Sequence, residues 1–145
     1  MSWSLSSADR TFVADIEACE FPIADFDHQA HLRLAYIYLT SGNPIAATRQ
    51  MEASLRTLLS FNGVDAGKFH VTLTRAWIFA VYHFMQRVPD CASSADFVAS
   101  APQLLNTQIM ETHFSPELLF SETARNTTVY PDRDPIPDYA GRSYP

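Results

Sequence analysis

The sequence is poor in glycine and cysteine, and each shortage excludes a class of protein. Four glycines in 145 residues leave no glycine-rich loop that could surround a phosphate, and no GxSxG nucleophile elbow is present. The two cysteines, Cys19 and Cys91, form neither a CxxC pair nor a disulfide framework. We therefore expect both thiols to be small buried hydrophobes in a reducing cytoplasm.

Basic residues and long apolar runs are also scarce. Ten Lys and Arg residues, scattered singly, stand against sixteen Asp and Glu residues and leave a net charge of −6, whereas nucleic-acid binders usually carry a basic stripe. No apolar run approaches the roughly 18 residues of a membrane span. The N-terminal sequence MSWSLSSADR lacks the basic and apolar regions of a secretion signal. These absences predict a cytoplasmic protein with neither a nucleic-acid nor a membrane partner.

The chain does have enough apolar content for a core, since 47% of its residues are hydrophobic and only 18% are charged. Helix-capping and helix-breaking residues divide residues 1–93 into four amphipathic segments. The expected N-caps of the first three segments are Ser6 or Ser7, Asp25 or Asp27, and Asn43. The predicted helices span about residues 7–19, 28–40, 44–61 and 69–87.

Short loops join these segments, and apolar residues nowhere alternate at period two for long, so we expect an all-α fold. The predicted architecture is an up-down four-helix bundle within a single helical domain over residues 1–145. The four-helix core is expected at 1–93, short helices at 94–129 and an extended, proline-rich C-terminal arm at 130–145. Leu105 and Ile109 are the expected core anchors of a short helix at 102–113.

Three histidines lie where this topology would bring them together. His28 and His31 begin the inward stripe of the second helix, and His70 begins that of the fourth. In an up-down bundle the second and fourth helices run parallel, so their N-terminal ends share one end of the bundle. The first helix ends there, which brings Glu17 and Glu20 close. Three imidazoles and a carboxylate predict a site for Zn²⁺, Fe²⁺ or another divalent ion.

Two residues compete as the acidic ligand, Glu20 and Glu17, and helical phase favours Glu20. Glu52 is a weaker third candidate. The competing interpretations are core histidines whose nitrogens are satisfied by hydrogen bonds and a metal-free acid–base site. Thr74 lies one turn along the His70 face, where its hydroxyl would bond a ligand or a backbone carbonyl. Arg33 lies off the stripe, so its charge is expected to be solvated.

Four segments carry a resemblance to a known family: FDHQAHLRLAYIYL, KFHVTLTRAWI, FSPELLFSETAR and YPDRDPIP. They resemble a widespread family of small, uncharacterised bacterial helical proteins. Its pattern is FxHxxH[LV]RxA[WY], then [KR][FY]HxT[LI]T, then [YF]SxExL[FW]S and a VxPDxxP[IL]P tail. The match runs from about residue 12 to residue 137.

The resemblance implies functional roles for His28, His31, Arg33 and His70, and for Thr72 and Thr74, which match its motifs. Its acidic element matches Ile16-Glu17-Ala18-Cys19 and implies Glu17 as the acidic ligand. Two positions depart from the pattern: Val71 stands where relatives often have glutamate, and Tyr130 replaces a valine-glutamate pair.

The sequence thus predicts a small metal-dependent enzyme that acts on a small molecule. Its metal ligands would be His28, His31, His70 and Glu17, and Thr74 and Arg33 would contact the bound molecule. The alternative is a non-catalytic ligand-binding or accessory protein with histidines in its pocket. The apolar helices also make a homodimer a reasonable expectation.

Overall fold

Side-chain caps begin the first three long helices at the residues that the sequence indicates. Ser6 forms a capping box with Asp9, and Asn43 caps the third helix just before Pro44. Of the two candidates for the second helix, Asp27 is the cap, since its carboxylate accepts a hydrogen bond from the Ala30 amide at 2.9 Å. These three predicted starts are confirmed.

The computed structural model describes residues 2–136, and within that range the fold is all-α, as predicted. The helices are α1 (Ser7–Glu17), α2 (His28–Leu39), α3 (Pro44–Phe61), α4 (Val71–Met85), α5 (Ser94–Ser100), α6 (Pro116–Leu119) and α7 (Glu122–Asn126). Short 3₁₀ turns lie at Ile23–Asp25, Ala66–Lys68, Pro102–Leu105 and Thr107–Thr112. The β-type pairing in these residues is one isolated bridge between Trp3 and Cys91.

Two helix bounds near the predicted histidine site differ from the prediction, the C-terminal end of α1 and the N-terminal end of α4. α1 ends at Glu17 rather than near Cys19, which adopts the left-handed conformation at φ 58°. α4 begins at Val71 rather than Phe69, because His70 is its N-cap and lies outside the helix. The His70 ring therefore precedes the first turn of α4 instead of belonging to it.

The core lies between α2, α3 and α4, which pack against one another, while α1 packs against α2 and α3. α2 is the central element, since six of its consecutive side chains, from Leu34 to Leu39, are buried. The apolar stripe of α3 is buried as predicted, at Ala47, Met51, Leu55 and Leu58. Among residues 2–136, no helix combines the length and the apolarity needed to cross a bilayer.

The C-terminal third covers this core through α5, which packs on α2, and α7, which packs on α4. The helix predicted at 102–113 is instead two 3₁₀ turns. A 3₁₀ turn has three residues per turn, which changes the helical phase. As a result Leu104 and Met110 are buried, while the predicted anchor Leu105 is 40% exposed.

The start of the predicted C-terminal arm lies against the residues that precede α6. The amides of Arg133 and Asp134 donate to the carbonyls of His113 and Thr112, at 2.9 and 3.2 Å, and Ile136 is buried. The remainder of the arm, 137–145, lies outside the described residues.

Candidate functional site

His28, His31 and His70 line one cavity of about 300 Å³ at the end of the molecule where α2 and α4 begin. We call it the histidine cavity. α3 closes one side of it with Leu55, Leu58 and Leu59. The other lining residues are Ile23, Phe26, Asp27, Lys68, Phe69, Leu73, Thr74 and Trp77. Its wall is therefore mainly apolar, with a few polar groups that decide its chemistry.

Both ring nitrogens of His70 are used in holding the fold. Nδ1 accepts a hydrogen bond from the Leu73 amide at 3.0 Å, which caps α4. Nε2 lies 2.6 Å from the Leu119 carbonyl oxygen, and because a carbonyl only accepts, Nε2 donates. These two bonds fix the Nε2–H tautomer and engage its one lone pair. Burial lowers the pKa of His70, which also keeps the ring neutral.

His28 uses one of its nitrogens in the same way. Its Nε2 donates to the Leu104 carbonyl oxygen at 2.8 Å, and its ring meets Trp77 edge to face with 4.6 Å between centroids. Nδ1 makes no hydrogen bond with any residue in the described range. In the neutral ring, His28 therefore offers one lone pair.

His31 is the imidazole whose two nitrogens make no hydrogen bond with other described residues. Its ring lies edge to face with Phe26, with 6.3 Å between centroids. Burial, together with the nearby His28, lowers the pKa of His31 to about 4. At neutral pH the ring is therefore an uncharged group with one donor and one acceptor.

Thr74 adds a second polar group to the wall. The residue is 7% exposed, and its hydroxyl makes no hydrogen bond with the part of the chain that the structure describes. Thr74 and His31 thus leave unused hydrogen-bonding capacity in one cavity.

The four expected metal ligands are not assembled into a metal-binding group. Within residues 2–136, no three His, Cys, Asp or Glu side chains lie together in a way that could hold an ion. Glu17 is exposed, does not line the histidine cavity, and accepts a hydrogen bond from the Tyr38 hydroxyl at 2.8 Å. The physical reason is that Tyr38, which holds the Glu17 carboxylate, lies in the last turn of α2, whereas His28 and His31 lie in its first turn.

The other acidic candidates also lie apart from the cavity. Glu20 is exposed, and Glu52 pairs with Arg56 one turn along α3, with Oε2 3.0 Å from Nε. Neither lines the histidine cavity.

Arg33 lies away from the histidine cavity, and its charge is paired, which corrects the expectation of a solvated side chain. Its Nε donates to Asp9 Oδ1 at 3.1 Å. It lines a second cavity of about 740 Å³, which we call the arginine cavity. Sequence reasoning missed Asp9 and Ser94, which are buried there, because nothing in their local pattern indicates a contact across 85 residues.

Thr72, which the resemblance also implied, has a structural role. Its hydroxyl donates to the Thr127 carbonyl at 2.7 Å and accepts from the Val129 amide at 3.1 Å. It attaches the segment after α7 to the start of α4.

No family model matches this chain, and searches of the curated proteins and of the solved structures found no match. The resemblance to the family of small bacterial helical proteins therefore stays a prediction.

Proposed function

We propose that the histidine cavity binds a small, mainly apolar molecule whose polar group bonds to His31 and Thr74. The observation that carries this proposal is the contrast among the polar groups of the wall. His70 has both nitrogens engaged, whereas the His31 ring and the Thr74 hydroxyl have no hydrogen bond to described residues. Polar groups that a fold leaves unsatisfied in a concave apolar site are the groups that usually orient a ligand.

The electrostatics favour an uncharged polar group on the molecule. His31 is neutral at physiological pH because its pKa is about 4. Asp27 also lines the cavity, but its carboxylate is held by the Ala30 amide at 2.9 Å as the cap of α2. A volume of about 300 Å³ lies at the lower end for small-molecule pockets. A hydroxyl, amide or carbonyl group on a compact ring or short chain fits these limits.

Trp77 provides the direct readout, because it lines the cavity beside His28. The full chain would be incubated with a metabolite extract, re-purified and denatured, and the released molecules identified by mass spectrometry. We expect a small molecule that is enriched on the wild type, depleted on His31→Gln and Thr74→Val, and able to change Trp77 fluorescence. Trp3→Phe removes the other tryptophan signal.

The control variants are His113→Gln and Thr57→Val, which lie outside the cavity. The proposal is contradicted if no molecule is enriched on the wild type over the His31 and Thr74 variants. It is also contradicted if the enriched molecule binds the two sets of variants equally.

A metal-dependent enzyme is the second candidate, and one observation favours it. His28 Nδ1 and both nitrogens of His31 are unengaged by described residues, on one turn of α2 and beside one cavity. A divalent ion held there by His28 and His31 would act as a Lewis acid toward a bound molecule. His70 and Glu17 would not be ligands in this arrangement, since both are engaged elsewhere.

Elemental analysis of protein purified without a histidine tag tests this candidate. Near-stoichiometric metal in the wild type, lost in His31→Gln and retained in His113→Gln, would support it. Absence of bound metal after dialysis against Zn²⁺ or Co²⁺ would contradict it and leave the ligand-binding proposal standing.

We also propose that the protein acts in the cytoplasm, without nucleic-acid or membrane partners, and that it forms a homodimer. The net charge of −6 and the two free thiols support the cytoplasmic location and the lack of nucleic-acid and membrane partners.

Exposed Phe61 and Phe120, which are 70% and 65% accessible, support the homodimer. Light scattering of wild type and Phe61→Ser tests the dimer, and a monomeric wild type contradicts it.

A further inference from the structure

The arginine cavity lies on the other side of the first turns of α2 from the histidine cavity. Gln29, Ala30 and Arg33 line the arginine cavity, whereas His28 and His31 line the histidine cavity. Its remaining walls come from α1, α5 and the 3₁₀ turn after α5. The apolar lining residues include Phe12, Phe21, Ala30, Val98, Pro102 and Leu105. A volume of about 740 Å³ is large enough for a small molecule with an extended apolar body.

The Arg33 guanidinium is held in place on two sides. Its Nε is 3.1 Å from Asp9 Oδ1, and its central carbon lies 4.5 Å above the Phe12 ring. The two terminal nitrogens make no hydrogen bond with described residues, and one third of the side chain is exposed. Arg33 therefore presents a fixed pair of N–H donors at the cavity, the geometry that binds a carboxylate with two parallel hydrogen bonds.

Asp9 holds Arg33 in place through Nε and leaves the two terminal nitrogens of the guanidinium available. The Asp9 side chain is 1% exposed and accepts hydrogen bonds from the Ser94 hydroxyl, the Ser94 amide and the Ser6 amide, at 2.6, 2.9 and 3.2 Å. Burial acts to raise the pKa of Asp9, but the hydrogen bonds outweigh it and lower the pKa to about 2. Its negative charge is thus shared among four donors, of which Arg33 is one.

We infer that the arginine cavity binds a small monocarboxylate with an apolar body, whose carboxylate pairs with the terminal nitrogens of Arg33. A single negative charge is favoured over a phosphate dianion for two reasons. One guanidinium is the basic group in the described wall, so it can pair with one carboxylate. The carboxylates of Asp9 and Asp27 also line the cavity, and their repulsion, which acts on any anion, is about twice as large for a dianion as for a monoanion.

This inference does not depend on the histidine cavity, because the two cavities share only Asp27 among their lining residues. Failure of either proposal leaves the other intact. The test is a titration of the full ¹⁵N-labelled chain with sodium octanoate, in which NMR spectra record the chemical shift of each backbone amide. 1-Octanol, which has the same apolar body without the charge, is titrated in parallel.

We expect saturable shifts from octanoate at the amides of Gln29, Ala30, Ser94 and Val98, and binding of octanol at least about tenfold weaker. Arg33→Gln should weaken octanoate at least about tenfold and leave octanol unchanged. Arg33→Lys should give an intermediate loss, since it keeps the charge without the paired donors. Arg10→Gln, at an exposed position of α1 next to Asp9, is the matched control and should leave octanoate binding unchanged.

Equal binding of octanoate and octanol overturns the inference, as does unchanged octanoate binding in Arg33→Gln. So does a lack of saturable shifts with octanoate or benzoate up to about 10 mM. If Arg33→Gln fails to fold, Ala99→Phe, which fills the same cavity from an exposed position of α5, takes its place. Unchanged octanoate binding in that variant overturns the inference equally.

Discussion

Three imidazoles line the histidine cavity, and their hydrogen bonds give each a different chemical capacity. His70 has both nitrogens engaged, His28 has one engaged, and His31 has neither engaged by described residues. A sequence pattern treats the three histidines as equivalent ligands. A ring nitrogen whose lone pair accepts a hydrogen bond from a backbone amide is, however, unavailable to a metal or a substrate. The capacity to bind therefore rests on His31, with His28 as its neighbour.

Replacing His70 should cost stability before it affects binding. His70→Ala removes the cap of α4 and leaves the Leu119 carbonyl without its donor, so we expect the free energy of unfolding to fall by about 1–3 kcal/mol. His70→Asn should recover part of this loss, because an Asn side chain also caps a helix. Urea unfolding of both variants measures the difference. A His70→Ala variant as stable as the wild type would contradict the capping role.

His31 should make stability depend on pH in one direction. Its folded-state pKa of about 4 lies below the ordinary 6.5, so the unfolded chain takes up the proton first. The His31 contribution is complete above about pH 6.5 and is lost as the pH falls toward 4. At about 1.4 kcal/mol for each pKa unit, we expect a loss of up to about 2 kcal/mol between pH 7 and pH 5.

His31→Gln provides the comparison, since glutamine does not titrate. In urea titrations, the free energy of unfolding of the wild type should fall by up to about 2 kcal/mol more than that of His31→Gln between pH 7 and pH 5. Parallel curves for the two proteins over this range would show that the pKa of His31 is not lowered in the folded protein.

At the scale of the element, the sequence predicted the start and the buried face of a helix, because interactions between residues close in sequence determine both. Asn43-Pro44 predicted the start of α3, and its apolar stripe predicted the four buried side chains, because caps and amphipathic periodicity act within a few residues. The start of α4 was placed two residues too early. Whether His70 begins the helix or caps it depends on one hydrogen bond between its ring and the Leu73 amide, which no spacing pattern reveals.

The link between α1 and α5 is the element-scale interaction that the sequence did not indicate. Asp9 lies in the first turn of α1, and both the hydroxyl and the amide of Ser94 donate to it across 85 residues. Asp9→Asn weakens these bonds and leaves Arg33 without its partner. We expect the free energy of unfolding to fall by about 2–4 kcal/mol.

Glu52→Gln is the matched control for Asp9→Asn. The Glu52–Arg56 pair has nearly the same separation, 3.0 Å, but both side chains are almost half exposed, so its loss should cost less than about 1 kcal/mol. Because the pKa of Asp9 is about 2, its contribution is present above about pH 4 and is lost as the pH falls toward 2. Equal effects of the two variants in urea unfolding would contradict the role of burial.

At the scale of the whole molecule, the segment after α5 completes the site. The Leu104 and Leu119 carbonyls accept from His28 and His70. Thr72 attaches the residues that follow α7. These contacts join residues 49 to 76 positions apart, so neither periodicity nor capping could predict them. The shared location of the three histidines was predictable from helix direction, but the use of their nitrogens was not.

Thr72→Val should loosen this attachment. The change keeps the shape of the side chain but leaves the Thr127 carbonyl and the Val129 amide without their partner, at a cost of about 1–3 kcal/mol. Amide hydrogen exchange should become faster at residues 119–129, while α3 stays protected. Thr57→Val, at an exposed position of α3, is the control. Unchanged exchange at 119–129 would contradict the attachment.

The central claim is that His31 is the imidazole left for a ligand while the other two hold the fold. Two-bond ¹H–¹⁵N spectra of the histidine side chains, recorded from pH 4 to pH 8, test it most directly. The account predicts a His70 ring locked in the Nε2–H tautomer at neutral pH and a His31 ring that stays neutral until about pH 4. A His31 ring that gains its proton near pH 6.5, or a His70 ring that exchanges tautomers, would contradict it.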